Sequence, residues 1–160
     1  MEKPIRKLPR MRGFDYSQEA VYFVTICSHG KKHIFGDISK IGDINVFSPS
    51  RIGVLVEENF FRLPERFPEF TLIHFSLLPN HLHFLTMKKK TDLDIAKSLS
   101  DFVGAFKSLS DRAVRNEMSG VRIWQKSFHD HIIRSEKDFQ THWLYIEENL
   151  NRWNEDEYFI

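Results

Sequence analysis

The chain contains one cysteine, Cys27, so no disulfide can form within it, which fits a reducing, cytoplasmic setting. Its apolar runs are all much shorter than the roughly 20 residues of a membrane-spanning helix, so no transmembrane segment or membrane partner is expected. The opening residues, MEKPIRKLPRMRGF, are basic but lack the apolar stretch of a secretory signal. Internal repeats, low-complexity tracts and linkers are absent as well. The 160 residues therefore read as one domain, 1–160, with 1–15 as a basic N-terminal segment. A net charge of only +1 excludes nucleic-acid binding through overall positive charge.

What the chain does have is phenylalanine, 15 of them within a 41% hydrophobic composition, enough for a sizeable core. Its cations are clustered. Lys3, Arg6, Lys7, Arg10 and Arg12 precede Phe14 with no acid among them, and Lys88, Lys89 and Lys90 form a second run. Clusters of this kind can hold phosphates; the alternative is a solvated tail and a solubilising loop.

Several elements are legible. AVYFVTICS (20–28) is β-branched and aromatic and predicts a central strand. HIFGDISKIGDINVF, with two Gly-Asp turns, predicts a hairpin excursion. Ser48-Pro49 is expected to open a helix to about Arg66, with Ile52, Leu55, Val56, Phe60 and Leu63 at helical spacing. Two strands, 71–78 and 81–87, are joined at Pro79-Asn80. Thr91 and Asp94 resemble a capping box leading a helix that carries Leu93, Ala96, Leu99, Val103, Phe106 and Leu109 on one face. A last strand runs from Phe128 to Arg134. Ser135 and Asp138 then open a helix expected to reach Trp153. This order is α+β: a ferredoxin-like βαββαβ antiparallel sheet with helices on one face and an added C-terminal helix.

Chemistry enters at LPNHLHFLT. On a strand, His81 and His83 share a face while Leu82 and Phe84 point the other way. Side chains about 7 Å apart on one face can converge on a divalent ion, although two packed bystanders have the same spacing. Phe128-His129-Asp130-His131 contains a second His-x-His, and spacing does not choose between the two pairs. On the last helix Phe139, Trp143, Ile146, Leu150 and Trp153 form one stripe. Tyr145 and Asn149 lie one turn apart at its edge. A phenol and a carboxamide so placed can meet an ion and a substrate, or can simply rim the core.

RGFDYSQEAVYFVTICSHGKKHIFGDI, LLPNHLHFL, DFVGAFKSL, IWQKSFHDHIIRSEKDF and YIEENLNRW occur in that order. Over roughly residues 5–153 the chain resembles the single-tyrosine HUH transposases, and among them the REP-associated tyrosine transposases of bacteria. The resemblance implies a ferredoxin-like fold whose central strand carries the HUH pair, His81 and His83. It implies Tyr145 as nucleophile and Asn149 as third metal ligand. It also implies that the basic segment holding Arg6, Lys7, Arg10 and Arg12 grips a DNA hairpin. Tyr16, with Phe14 and Trp124, is a candidate for stacking on unpaired bases. His129 and His131 receive no ligand role.

The implied reaction is transesterification on single-stranded or hairpin DNA with a divalent metal, Mg2+ or Mn2+, through a 5′-phosphotyrosine link. Glu148 and His142 stand on the same helix as candidate bases. Of four tyrosines, Tyr16, Tyr22, Tyr145 and Tyr158, the last lies near the chain end and is expected to fray. Relatives usually carry proline where this chain has Leu150, so the helix is expected to run on toward Trp153. A catalytically inactive, domesticated DNA-binding relative is the alternative on that account. Other rivals are a metal-dependent hydrolase using water and a purely structural module. Monomer and homodimer both remain open, since some relatives exchange the tyrosine helix.

Overall fold

Strand β1 (Ala20–Cys27) sends Tyr22, Val24 and Ile26 to one face of a sheet, where all three are fully buried. The structure, a computed structural model, describes residues 20–90 and 96–159. After β1 a two-stranded hairpin, β2 (Gly36–Ile41) and β3 (Ile44–Pro49), leads into helix α1 (Arg51–Arg66). Strands β4 (Phe70–Leu78) and β5 (His81–Lys88) follow, then α2 (Leu99–Glu117), β6 (His129–Ile132) and α3 (Glu136–Glu148). The main sheet has the order β4-β5-β1-β6 with every neighbouring pair antiparallel. That is the ferredoxin-like βαββαβ arrangement, with the small hairpin inserted before α1 and α3 appended.

Aromatic packing builds the core between the sheet and α1 and α2. Phe60 of α1 meets Phe84 of β5 at 4.9 Å between ring centroids and Phe106 of α2 at 5.3 Å. Phe70 stacks on Phe102 at 4.5 Å. Edge-on and offset contacts of this kind add to the burial of large apolar surfaces. On β5 the pleat sends Leu82 and Phe84 into this core and His81 and His83 to the opposite face. Helix α3 covers that second face, packing on β4 and β5. Among the described residues no helix is long and apolar enough to cross a membrane.

Three expected boundaries move. Strand β3 runs through Pro49, and the N-cap of α1 is Ser50, whose hydroxyl accepts from the Gly53 N–H at 3.1 Å. The capping box of α2 is Ser98 with Asp101, the carboxylate accepting from the Ser98 N–H at 2.7 Å. Thr91, Leu93 and Asp94 lie outside the described residues, and Ala96 precedes the helix. Both boxes have the same residue spacing, so the pattern alone did not choose between them.

The third shift is functional. Helix α3 ends at Glu148 rather than continuing to Trp153, without a proline at position 150. The side-chain amide of Asn45, on β3, donates to the carbonyls of Leu150 and Asn151 at 3.0 and 3.3 Å. Those carbonyls would otherwise extend the helical ladder. Lys88 is also displaced from its expected role: it is buried at the end of β5, leaving Lys89 and Lys90 exposed.

Two helical glycines give a matched test of the packing. A Cβ on Gly53 would lie 2.0 Å from the carbonyl oxygen of Phe35, whereas one on Gly104 meets nothing within 4 Å. Gly104→Ala is expected to raise stability by up to about 1 kcal/mol, as helix propensity dictates. Gly53→Ala is expected to lower it by more than about 1 kcal/mol because backbone must separate. Urea denaturation midpoints decide; two shifts of the same sign would refute the close packing of α1 on the Phe35 segment.

Candidate active site and metal centre

His81 and His83 are 0% and 1% exposed, and their rings converge until the two Nε2 atoms are 3.0 Å apart. The strand partners of β5 set this up. Thr25 lies opposite His83 in the β1 register, and its Oγ1 sits 2.8 Å from His83 Nδ1. Asn80, in the tight turn between β4 and β5, places Oδ1 2.7 Å from His81 Nδ1. The Asn80 amide nitrogen donates to the carbonyls of Tyr158 and Lys31, which orients its oxygen toward the imidazole. His81 Nδ1 therefore carries the hydrogen, and its Nε2 lone pair faces His83. A proton or a cation must lie between these nitrogens for them to approach so closely.

Burial, followed by the influence of His83 and of Lys31, holds the His81 imidazolium well below its ordinary range. Burial, and then His142, pulls His83 down to about 3. Both rings are thus neutral at pH 7, the form that ligates metals. Cys27 stands opposite His81 in the register, but burial pushes its thiol up to about 11, so it offers no thiolate.

Tyr145 projects from α3 onto this pair. Its ring meets His83 edge-on at 5.1 Å between centroids and Phe23 at 5.9 Å, and it is 37% exposed. One turn on, Asn149 is buried; its Nδ2 donates to Asp156 Oδ2 at 2.5 Å, while its Oδ1 is buried with no hydrogen-bond partner. The structure thus brings His81, His83, Tyr145 and Asn149 to one region. Arg6, Lys7, Arg10, Arg12 and Tyr16 lie outside the described residues.

Two residues not anticipated in the sequence complete the region. Beyond α3 the chain turns through a short 3-10 helix, Trp153–Glu155, and folds back over the histidines. Asp156 Oδ2 comes within 3.8 Å of His81 Nε2, with its side chain fully buried. The Tyr158 ring packs 4.5 Å from that of His81, so the expected fraying of Tyr158 does not occur. Its carbonyl is held by Asn80, its N–H by Asp156 Oδ1 at 2.7 Å, and Lys31 sits over its ring. Asp156 and Tyr158 belong to no spacing template around the histidines, so no sequence signal marked them.

A cleft of about 300 Å³ opens here, lined by Tyr145, Glu148, Asn149, Arg152, Glu155, Asp156 and Glu157. Four carboxylates surround one guanidinium, and Arg152 is itself paired with Glu155 and Glu148. Burial, then the charges of Asp156 and Glu157, push the Tyr145 phenol above its ordinary value, against a hydrogen bond from Asn149. An anionic substrate would be repelled from such a cleft unless positive charge entered with it. His81, His83 and Asp156 offer three ligand atoms within 4.8 Å of one another, and the unpartnered Asn149 oxygen adds a fourth donor nearby. Two imidazole nitrogens, a carboxylate and an amide oxygen suit a divalent ion. The expected ligands are His81, His83 and Asn149; Asp156 is a further candidate beside them.

The second histidine pair separates. His129 and His131 are both exposed on β6, but His131 pairs with Asp138 and stacks on His142 of α3.

The neutral histidine pair has a consequence for stability. Unfolded, each imidazole takes up a proton below about pH 6.5; folded, it resists until far lower. The stabilisation is therefore complete above about pH 6.5 and is lost as pH falls below it, for His83 down to about pH 3. Each histidine contributes roughly 1 kcal/mol per pH unit in that window. Urea midpoints at pH 7.5, 6 and 5 should fall steadily in the wild type and less steeply in His83→Gln. Parallel slopes for the two chains would contradict the neutral buried imidazole.

No family model matches the chain. An uncharacterized protein of Haemophilus influenzae is 26% identical over 172 aligned positions, spanning 97% of this chain and 93% of its own length. Among solved structures, a REP-associated tyrosine transposase bound to a REP hairpin superposes with a TM-score of 0.66 at 17% identity. The match covers 96% of this chain and 76% of that one. A putative transposase from Deinococcus radiodurans R1 gives a TM-score of 0.52, again at 17% identity, covering 88% of this chain and 97% of that one. The chain thus has the fold of a REP-associated tyrosine transposase, in agreement with the resemblance carried by its His-Leu-His and Tyr-Ile-x-x-Asn motifs.

Proposed function

We propose that this chain cleaves and rejoins single-stranded or hairpin DNA by transesterification, with Tyr145 as nucleophile. The observation that carries this reading is the contact of the Tyr145 ring with His83, across the sheet face that also holds His81. The solved relative binds a REP hairpin, which supports DNA as the substrate class.

Tyr145 Oη attacks the phosphorus. A new P–O bond forms to the phenol oxygen, and the bond to the 3′-oxygen breaks. The phenol proton leaves to a base, and the departing 3′-oxygen takes up a proton to become a hydroxyl. Glu148 lines the same cleft as Tyr145, and His142 lines the adjoining one beside His83; either can accept the phenol proton. The product is a 5′-phosphotyrosine. A phenol, with its pKa of about 10, leaves far more readily than an alkyl alcohol, so a later 3′-hydroxyl can reverse the step without ATP.

A divalent ion, magnesium or manganese, held by His81, His83, Asp156 and the Asn149 oxygen, supplies the positive charge that this acidic cleft needs to accept a phosphodiester. Asn80 and Thr25 hold the imidazoles so that their Nε2 atoms face inward. Phe23, stacked on His83, and the buried Trp153, stacked on His81, keep water from the histidine pair. The cations Arg6, Lys7, Arg10 and Arg12 hold the hairpin.

Incubation with a labelled hairpin and Mn2+, followed by a denaturing gel, tests the reading. Tyr145→Phe is expected to abolish the covalent adduct while hairpin affinity stays within about twofold. Tyr158→Phe controls for the second phenol in the region. An adduct abolished in that variant and kept in Tyr145→Phe would transfer the nucleophile to Tyr158. His81→Ala is expected to reduce metal-dependent cleavage to background, and undiminished cleavage would remove the histidine pair from the reaction. Neutralising Arg6, Lys7, Arg10 and Arg12 is expected to lower the slope of log K against log salt by about 0.7–0.9 for each phosphate that the segment ceases to neutralise. An unchanged slope would deny the segment any role in holding phosphates.

A further inference from the structure

Helix α3 bears a second convergent set of ligands, facing edge strand β6. His131 Nε2, on edge strand β6, lies 3.0 and 2.9 Å from the two carboxylate oxygens of Asp138. His142 Nδ1, one turn further along α3, lies 3.1 Å from Asp138 Oδ1 and 2.9 Å from the Asp138 carbonyl oxygen. The two imidazoles stack at 4.6 Å between centroids and 19° between planes, so both present a nitrogen to one carboxylate. One nitrogen of each, with an oxygen of Asp138, lies within 4.8 Å of the other two.

We infer that His131, Asp138 and His142 form a second divalent-metal site, of the zinc type, which clamps the first turns of α3 to β6. The inference does not need the strand-transfer reading, and within that reading a metal on His142 would leave Glu148 as the base for Tyr145. Ligand atoms bonded at about 2.0–2.1 Å in a tetrahedron stand about 3.3 Å apart, only a few tenths of an ångström beyond the separations from Asp138. His142 must give up its hydrogen bond to the Asp138 carbonyl and turn Nδ1 toward the ion, a change confined to one side chain. The backbone N–H of Arg134 donates to Asp138 Oδ2 at 3.0 Å, fixing the carboxylate as outer-sphere partners do in metal sites.

Two features select a transition metal over magnesium. The donors are two imidazoles and one carboxylate, a set that binds zinc, nickel or cobalt more tightly than a hard, oxygen-seeking ion. The site is also open: the His131 side chain is 47% exposed and those of Asp138 and His142 are each 22% exposed. Solvent can supply the fourth ligand. The ring of His142 meets Phe23 at 4.7 Å, and His142 lines a cleft with His83 and Tyr145. A metal here would therefore hold the tyrosine-bearing helix against the sheet.

Zinc and cobalt titrations of the full-length chain, read by calorimetry and by cobalt visible absorption, test the site without reference to DNA. The wild type is expected to bind two equivalents of zinc. His131→Ala, at an exposed position, should leave one equivalent, and Asp138→Asn should weaken the same equivalent at least tenfold. His81→Ala/His83→Ala should retain this equivalent, together with a zinc-dependent rise in melting temperature. If that double variant does not fold, the comparison of wild type with His131→Ala decides. Equal stoichiometry and affinity in wild type, His131→Ala and Asp138→Asn would overturn the inference, as would a wild type whose single equivalent disappears when His81 and His83 are replaced.

Discussion

The period-two alternation of β5 is the constraint on which the rest of the structure depends. It sends Leu82 and Phe84 into the aromatic core and His81 and His83 to the opposite face. A one-residue slip of register would exchange the faces, burying imidazoles among phenylalanines and exposing the apolar pair. Core packing and site geometry are thus two outcomes of one strand registration. Thr25 on β1 is fixed by the same ladder, which is why it arrives at His83 with hydrogen-bonding geometry.

Electrostatics then sets what the second face can do. Two neutral imidazoles, a buried carboxylate and a buried, unpartnered amide oxygen form a donor set that carries no positive charge. The surrounding acids make the cleft hostile to a phosphate on its own. The phenol beside them resists ionisation for the same reasons of burial and negative neighbours. These features are mutually consistent if a divalent cation balances them, which is the physical content of the proposed reaction. Helix α3 matters because it carries Tyr145 and Asn149 toward this donor set and Asp138 and His142 toward β6. It joins two clusters of the same ligand types that differ in exposure and in the amide oxygen added to the first.

Much of the fold was legible beforehand. The β-branched and aromatic run at 20–28, the turn at Pro79-Asn80 and the Ser135-Asp138 helix start each combine local propensity with a hydrophobic period that tertiary packing reinforces. The errors fell where two local signals competed or where the deciding contact came from a distant segment. Thr91 with Asp94 and Ser98 with Asp101 are equivalent as capping patterns, and Ser98 is the cap of the helix that begins at Leu99. Ser50 capped α1 because β3 extended through Pro49. Leu150 did not prolong α3, because the carbonyl-capturing amide came from Asn45, more than 100 residues away in sequence. No window along the chain contains that interaction.

The site divides in the same way. Sequence by itself determined that His81 and His83 would share a face and that Tyr145 and Asn149 would share a helical turn, because those relations follow from backbone periods of 2.0 and 3.6 residues. It left the choice between the two histidine pairs to resemblance. Tertiary structure alone decided that the chain end would fold back, burying Asp156 beside His81 and Tyr158 on its ring, and that His131 would join Asp138 and His142 while His129 stayed exposed. Periodicity governs neighbours along one element. Which elements meet, and which polar atoms lose their water there, depends on how separate segments pack.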